Sequence, residues 1–142
     1  MPPADRASAP VWRSPAAADL PSEPQRRLLL ALAGAVAEPL LSEQIGTVVV
    51  DAVCRCGCSS VRLRSEGRPI SAERVAQLST SGRDDYFAVE AMGAGPEKQV
   101  VNVVLHVFHG RAGELEVFDA INGEGAAIPP AGLHLMTDPT VT

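Results

Sequence analysis

The segment VVNVVLHVFHGRAGELEVFDA, residues 100–120, decides the fold of this chain. Its first half is aliphatic at every second position, which is typical of a β-strand with one buried face: Val101, Val103, Leu105 and Val107. The opposite face of this strand carries Asn102, His106 and Phe108. A turn is predicted at residues 110–113, and residues 114–120 then run back with Leu115 and Val117 inward. The segment therefore predicts an antiparallel hairpin with one apolar face and one polar face.

Three more strands are predicted upstream of this hairpin. Alternating or β-branched residues occupy positions 47–54, 59–64 and 85–92. The connections between these segments are too short or too polar to hold the crossover helices of a parallel sheet. The predicted fold class is therefore α+β, with an N-terminal helix packed on an antiparallel β-sheet meander of about five strands.

The N-terminal helix is predicted from a capping signature. Ser22 is followed three residues later by Gln25, with Pro24 in the first turn. Apolar residues then recur at helical spacing, which predicts a helix over residues 23–37: Leu28, Leu29, Leu32 and Val36. Pro39 interrupts this helix, and residues 40–45 add a short second turn closed by Gly46. Residues 71–78 form either a short helix or an irregular connection.

The two ends of the chain are rich in proline. Residues 1–21 are expected to be a disordered arm, residues 22–128 a single α+β domain and residues 129–142 a loose tail. A competing interpretation is a twin-arginine export signal, with Arg26 and Arg27 before an apolar run and a cleavage site after Ala37. The capping signature and the long proline-rich lead favour an uncleaved, cytoplasmic protein.

The charge distribution bears on the kind of partner. The formal net charge is −5 and the pI is about 5.1, which argues against nucleic acid or an anionic membrane as partner. Residues 1–71 carry eight basic and seven acidic side chains, whereas residues 72–142 carry four basic and ten acidic ones. This acidic half suggests an outer face that docks a basic protein, with four candidate residues: Glu114, Glu116, Asp119 and Glu124. The free edge of a meander also makes a homodimer plausible.

The cysteines form one cluster, CRCGC, in residues 54–58. Cys54, Cys56 and Cys58 with an imidazole from His106 or His109 would make a Cys3His zinc set, although structural zinc sites usually use C-x2-C. A Cys56–Cys58 disulfide, a thiolate–histidine pair and three packing cysteines in a reducing compartment are the alternatives. We favour three packing cysteines in a reducing compartment, an interpretation that requires no cofactor. Since His106 and His109 are three apart in one strand, they are expected on opposite faces.

Three segments carry a resemblance to a protein family: RLL at residues 27–29, CRCGCSSVRL at 54–63, and LHVFHGR at 105–111 leading into LEVF at 115–118. The chain resembles a family of small bacterial proteins with a C-x-C-G-C-x-S-[IV]-x-L segment and a later glycine turn followed by L-E-[VI]. The resemblance implies a fold but no activity. The hairpin ending in LEV is also similar to small immunity proteins of bacterial toxin systems. His106 and His109 depart from the family pattern, which argues against a family-wide zinc site at either.

The sequence therefore predicts a non-catalytic binding or interaction module more readily than an enzyme. One alternative is an immunity-type protein that neutralises a basic toxin. A second is a zinc- or thiol-dependent protein that uses the cysteine cluster.

Overall fold

The computed structural model of the chain describes residues 12–13, 19–54, 60–121 and 132–142. These residues form three helices and one sheet, which confirms the α+β class. The helices are α1 (Glu23–Gly34), α2 (Pro39–Thr47) and α3 (Ala72–Leu78). The strands are β1 (Trp12–Arg13), β2 (Val49–Cys54), β3 (Val61–Arg64), β4 (Tyr86–Ala94), β5 (Val100–Phe108), β6 (Arg111–Asp119), β7 (His134–Leu135) and β8 (Thr140–Val141).

The sheet is antiparallel throughout, in the order β1-β2-β3-β6-β5-β4-β7, with β8 also pairing with β4. It thus has more strands than the five expected. Strands β4, β5 and β6 form the predicted meander, but β6 pairs next with β3. The connection that contains α3 therefore carries the chain from one side of the β5–β6 pair to the other.

One face of the sheet is covered by helices and holds the core. The residues predicted to face inward in the deciding segment lie there, so this face is confirmed: Val101, Val103, Leu105, Val107, Leu115 and Val117. Helix α1 contributes Leu28, Leu29, Leu32 and Ala33. Cleavage after Ala37 would therefore remove a large part of this core. Among the described helices, none is long and apolar enough to cross a bilayer.

The start of α1 is the predicted one. The Ser22 hydroxyl accepts the Gln25 N–H at 3.3 Å, and the Gln25 side-chain oxygen accepts the Ser22 N–H at 2.9 Å. This is the reciprocal bonding that a capping box requires. Helix α1 ends at Gly34, three residues before the predicted end, and Pro39 begins α2 at the position where proline is best tolerated.

The turn between β5 and β6 is tighter than predicted. It consists of His109 and Gly110, whose φ values are 50° and 80°, and Arg111 already pairs with Phe108. Two consecutive positive φ values are what a type I′ hairpin requires. Strand β6 therefore begins three residues before its predicted start.

The C-terminal residues do not form the loose tail that the prolines suggested. Leu135 pairs with Gly93 and Val141 with Val89, so β7 and β8 both extend the sheet beyond β4, and Leu133 is buried. The predicted disordered arm lies mostly outside the described residues. Within it, Trp12–Arg13 pairs with β2, and Asp19 makes an isolated bridge with Val50.

Candidate functional site

The sheet face opposite the helices carries polar side chains at its centre. We call it the open face and define it by Tyr86 on β4, His106 and Phe108 on β5, and Glu114 and Glu116 on β6. The strand register brings these residues together, because Tyr86 pairs with Phe108 and His106 pairs with Glu114. The outward direction predicted for His106, Glu114 and Glu116 is thereby confirmed.

His106 is held by hydrogen bonds at both ring nitrogens. Its Nδ1 lies 2.6 Å from the Tyr86 hydroxyl oxygen, and its Nε2 lies 2.8 Å from Oε1 of Glu116. Only 19% of the His106 side chain and 13% of the Glu116 side chain are exposed. An ionised Glu116 accepts a hydrogen bond from the Nε2–H, so in a neutral imidazole Nδ1 is then the acceptor for the Tyr86 hydroxyl. The three side chains form a Tyr–His–Glu chain with a defined direction.

Glu114 adds a second carboxylate beside this chain. Burial raises the pKa of Glu114 above its ordinary value, and the charge of Glu116 raises it further, whereas His106 and Arg62 lower it. Burial also raises the pKa of Tyr86, helped by both glutamates. Tyr86 is therefore a neutral phenol at neutral pH. The side-chain donor atoms of His106, Glu114 and Glu116 lie within 4.8 Å of one another.

The rings of Tyr86, His106 and Phe108 contact one another at this site. Phe108 stacks on His106 with ring centroids 5.9 Å apart and an interplanar angle of 11°, and it lies 5.4 Å from the Tyr86 ring. Phe108 can take this position because Gly113 has no side chain: a Cβ there would lie 2.5 Å from the Phe108 ring. Gly113 is the extra residue where the β5–β6 register shifts, since His106 pairs with Glu114 and Val107 with Ala112. The bulge thus determines both the stacking of Phe108 on His106 and the direction in which the Glu114 side chain points.

These groups line a shallow cavity of about 460 Å³, which we call the cleft. Arg83, Asp85 and His109 complete its lining. Arg83 and Asp85 form a two-point ion pair at 2.9 and 3.1 Å, and the Arg83 guanidinium lies 5.3 Å from the Tyr86 ring centre. Carboxylates next to aromatic faces are the chemistry that selects cations.

Three predictions about histidines and acidic residues need correction. His109 lies in the turn and lines the same cleft as His106, so the expected separation onto opposite faces is wrong. Asp119 is 6% exposed on the helix-covered side of the sheet, with Oδ1 accepting the Ile121 N–H, because β6 alternates and Asp119 shares the face of Leu115. It is not part of an outer docking face. Glu114 and Glu116 face outward but are half-buried, not fully solvated.

Glu124, Cys56 and Cys58 lie outside the described residues, as does the side chain of Cys54. The backbone of Cys54 belongs to β2, and β3 and β6 stand between β2 and β5. Three interstrand spacings amount to about 14 Å. His106 contacts Tyr86 and Glu116 in the described structure. The Cys3His zinc set stays a prediction, because most of the cysteine cluster lies outside the described residues.

Sequence reasoning did not identify Tyr86 or Phe108 as site residues. Each occupies an outward strand position. Which outward residues become neighbours depends on the register between β4, β5 and β6, and no local sequence pattern encodes that register. A tyrosine at the start of one strand and an aromatic residue at the end of the next is a weak signal by itself.

Comparison of the chain with protein-family models, curated proteins and solved structures gives no match in any of the three. The resemblance to a small bacterial family therefore remains a prediction.

Proposed function

We propose that this protein is a non-catalytic binding module whose cleft takes a cationic group from a basic protein partner. The observation that carries the proposal is the pair of half-buried carboxylates, Glu114 and Glu116, next to the exposed ring of Phe108. A lysine or arginine side chain could hydrogen-bond to both carboxylates and cover the ring.

The surroundings of the pair support this proposal. Glu90 lies on the same sheet face, since it pairs with Val104, the residue opposite Glu116. Positive charge lies beside the two carboxylates. Arg62 is opposite Glu114 in the β3–β6 register, and Arg83 forms an ion pair with Asp85. A concentrated negative centre of this kind speeds association with a basic partner and fixes its orientation more than it raises affinity. Neutralisation of a basic toxin is the more specific form of this function.

Two finer points belong to the same proposal. Among the described residues, no helix lies on the cleft face, which suits the approach of a partner of this type. We also propose that the chain acts uncleaved, as expected for a cytoplasmic protein, because the segment before Ala37 includes α1 and its core leucines. A second copy of this chain is the alternative partner.

The test is a calorimetric titration of the full chain with a hexa-arginine peptide at low salt. Changing Glu114→Gln and Glu116→Gln together should weaken binding by about tenfold or more, because both charges are removed at the cleft. The matched control is Glu43→Gln with Glu97→Gln, which changes the net charge equally at exposed positions elsewhere. Equal affinity of the two double variants would show that only overall charge matters and would end the proposal.

A further inference from the structure

We propose that His106, Glu114 and Glu116 form a binding site for a divalent transition-metal ion, with zinc as the best-fitting ion. The inference goes beyond binding of a basic partner, although it shares two carboxylates with it. The donor atoms of these three side chains already converge within 4.8 Å, on adjacent strands whose backbone pairing fixes their spacing.

The distances suit a tetrahedral ion after small side-chain movements. Ligand atoms about 2.1 Å from zinc lie about 3.4 Å from each other in a tetrahedron. His106 Nε2 and Glu116 Oε1 are 2.8 Å apart, so they must separate by a few tenths of an ångström. Rotation about the Glu114 side-chain bonds supplies the rest, since a glutamate carboxylate is not fixed by the backbone.

Tyr86 provides the orienting contact that such a histidine needs. When Nε2 binds a metal, the ring proton resides on Nδ1 and must be donated to a second group. The Tyr86 hydroxyl oxygen is 2.6 Å from Nδ1 and can accept this hydrogen bond through a lone pair. The stack with Phe108 further restricts the imidazole plane. Tyr86 is therefore a positioning residue for the metal ligand.

Charge and ligand type favour the same ion. Two carboxylates held close together in a half-buried cleft repel each other, and a dication would neutralise both. One imidazole with two carboxylates suits zinc, and the set leaves the fourth position open toward the cleft. A water molecule or a donor group from a ligand would complete the coordination there.

The metal site and the basic-partner site can be separated through His106. A neutral imidazole is a zinc ligand but adds no attraction for a guanidinium, whereas the two glutamates serve both. Zinc and a basic peptide should therefore compete for wild-type protein. Loss of His106 should weaken zinc binding about 100-fold and leave peptide binding in place.

The experiment is a titration of the full chain with zinc chloride under reducing conditions. Because thiolates also bind zinc, every protein carries Cys54→Ser, Cys56→Ser and Cys58→Ser. We expect one zinc per chain, with affinity lowered about 100-fold by His106→Phe, which keeps an aromatic ring in the stack. His134→Phe, the same change at an exposed histidine outside the cleft, should leave the affinity unaltered.

Further variants keep the test decisive if His106→Phe fails to fold. Glu116→Gln should weaken zinc binding by about tenfold or more, while the exposed Glu43→Gln should not. Tyr86→Phe should weaken it by about 10- to 100-fold without changing the stoichiometry, as expected of a residue that acts through the ligand. Absence of zinc binding, or equal binding by wild type and His106→Phe, would overturn the metal site.

Those outcomes are independent of the proposed function. Hexa-arginine binding that depends on Glu114 and Glu116 but tolerates His106→Phe would stand even if zinc did not bind. Conversely, zinc binding lost in His106→Phe, with no peptide binding, would retain the metal site and refute the basic partner.

Discussion

Gln44 is the buried polar residue that connects helix α2 to the functional hairpin. Its side-chain nitrogen donates to the carbonyl oxygens of Gly110 at 2.8 Å and Arg68 at 3.0 Å, and its oxygen accepts the Ala112 N–H at 2.9 Å. The amide is fully buried, and its three bonds reach the turn at Gly110, the start of β6 at Ala112 and the connection between β3 and α3 at Arg68. A side chain from the helix-covered face of the sheet therefore helps to hold the turn beside the cleft, together with the backbone bonds from the Ile70 N–H to Gly110 and from the His109 N–H to Asp85.

We predict that Gln44→Leu destabilises the protein by about 2–4 kcal/mol, because the Ala112 N–H would lose its partner inside the core and the carbonyl oxygens of Gly110 and Arg68 would each lose a donor. Urea unfolding followed by circular dichroism measures this loss. Gln77→Leu is the control, since Gln77 is exposed on α3, and its effect should stay within about 0.5 kcal/mol. Similar midpoints for the two variants would contradict the assigned role of Gln44.

The residue scale also shows where prediction from sequence ends. His106, Glu114 and Glu116 were recognisable as outward residues from alternation alone. Their convergence with Tyr86 was not, because it requires the β4–β5 register and the bulge at Gly113. The prediction for Asp119 was wrong because it grouped this residue with Glu114 and Glu116 by charge. Its position in the alternation of β6 instead places it on the helix-covered face, with Leu115.

At the scale of elements, strong local signals located the helices and long strands well. The capping box fixed the start of α1, and period-two alternation located β4 and β5 to within two residues. The short strands β7 and β8 were missed, because two residues carry no periodicity and their stability comes from pairing with β4. The prolines and glycine of the C-terminal segment predicted a loop, but they did not indicate that this segment pairs with the edge of β4.

Deleting residues 139–142 should expose part of the β4 edge. Thr142 exchanges backbone hydrogen bonds with Ala88, at 2.8 Å from its N–H and 3.5 Å to its carbonyl oxygen. Without them, we expect faster amide hydrogen exchange in β4 and concentration-dependent self-association through the unpaired edge. Hydrogen–deuterium exchange and analytical ultracentrifugation test the two effects. Unchanged exchange in β4, with β5 as internal reference, would show that β8 contributes nothing to the edge.

At the scale of the whole molecule, one core joins both helical and sheet layers, so α1 cannot be removed independently. We predict that a chain lacking residues 1–37 does not unfold cooperatively, because Leu28, Leu29 and Leu32 would be missing from the core. Thermal denaturation monitored by circular dichroism provides the measurement. A sharp transition for the shortened chain would instead favour the twin-arginine interpretation, with Ala37 as the last residue of a removable signal.

The pairing of β3 with β6 has a kinetic consequence. Hairpin β2–β3 and meander β4–β5–β6 are each formed from neighbouring segments, whereas the seam between them joins Val61 to Leu115 and Arg62 to Glu114 across some fifty residues of chain. Such distant contacts form slowly, because loop closure precedes any gain in packing. If the two local units form first, the seam joins in the last stage of folding, and the environment of Glu114 is completed at that stage.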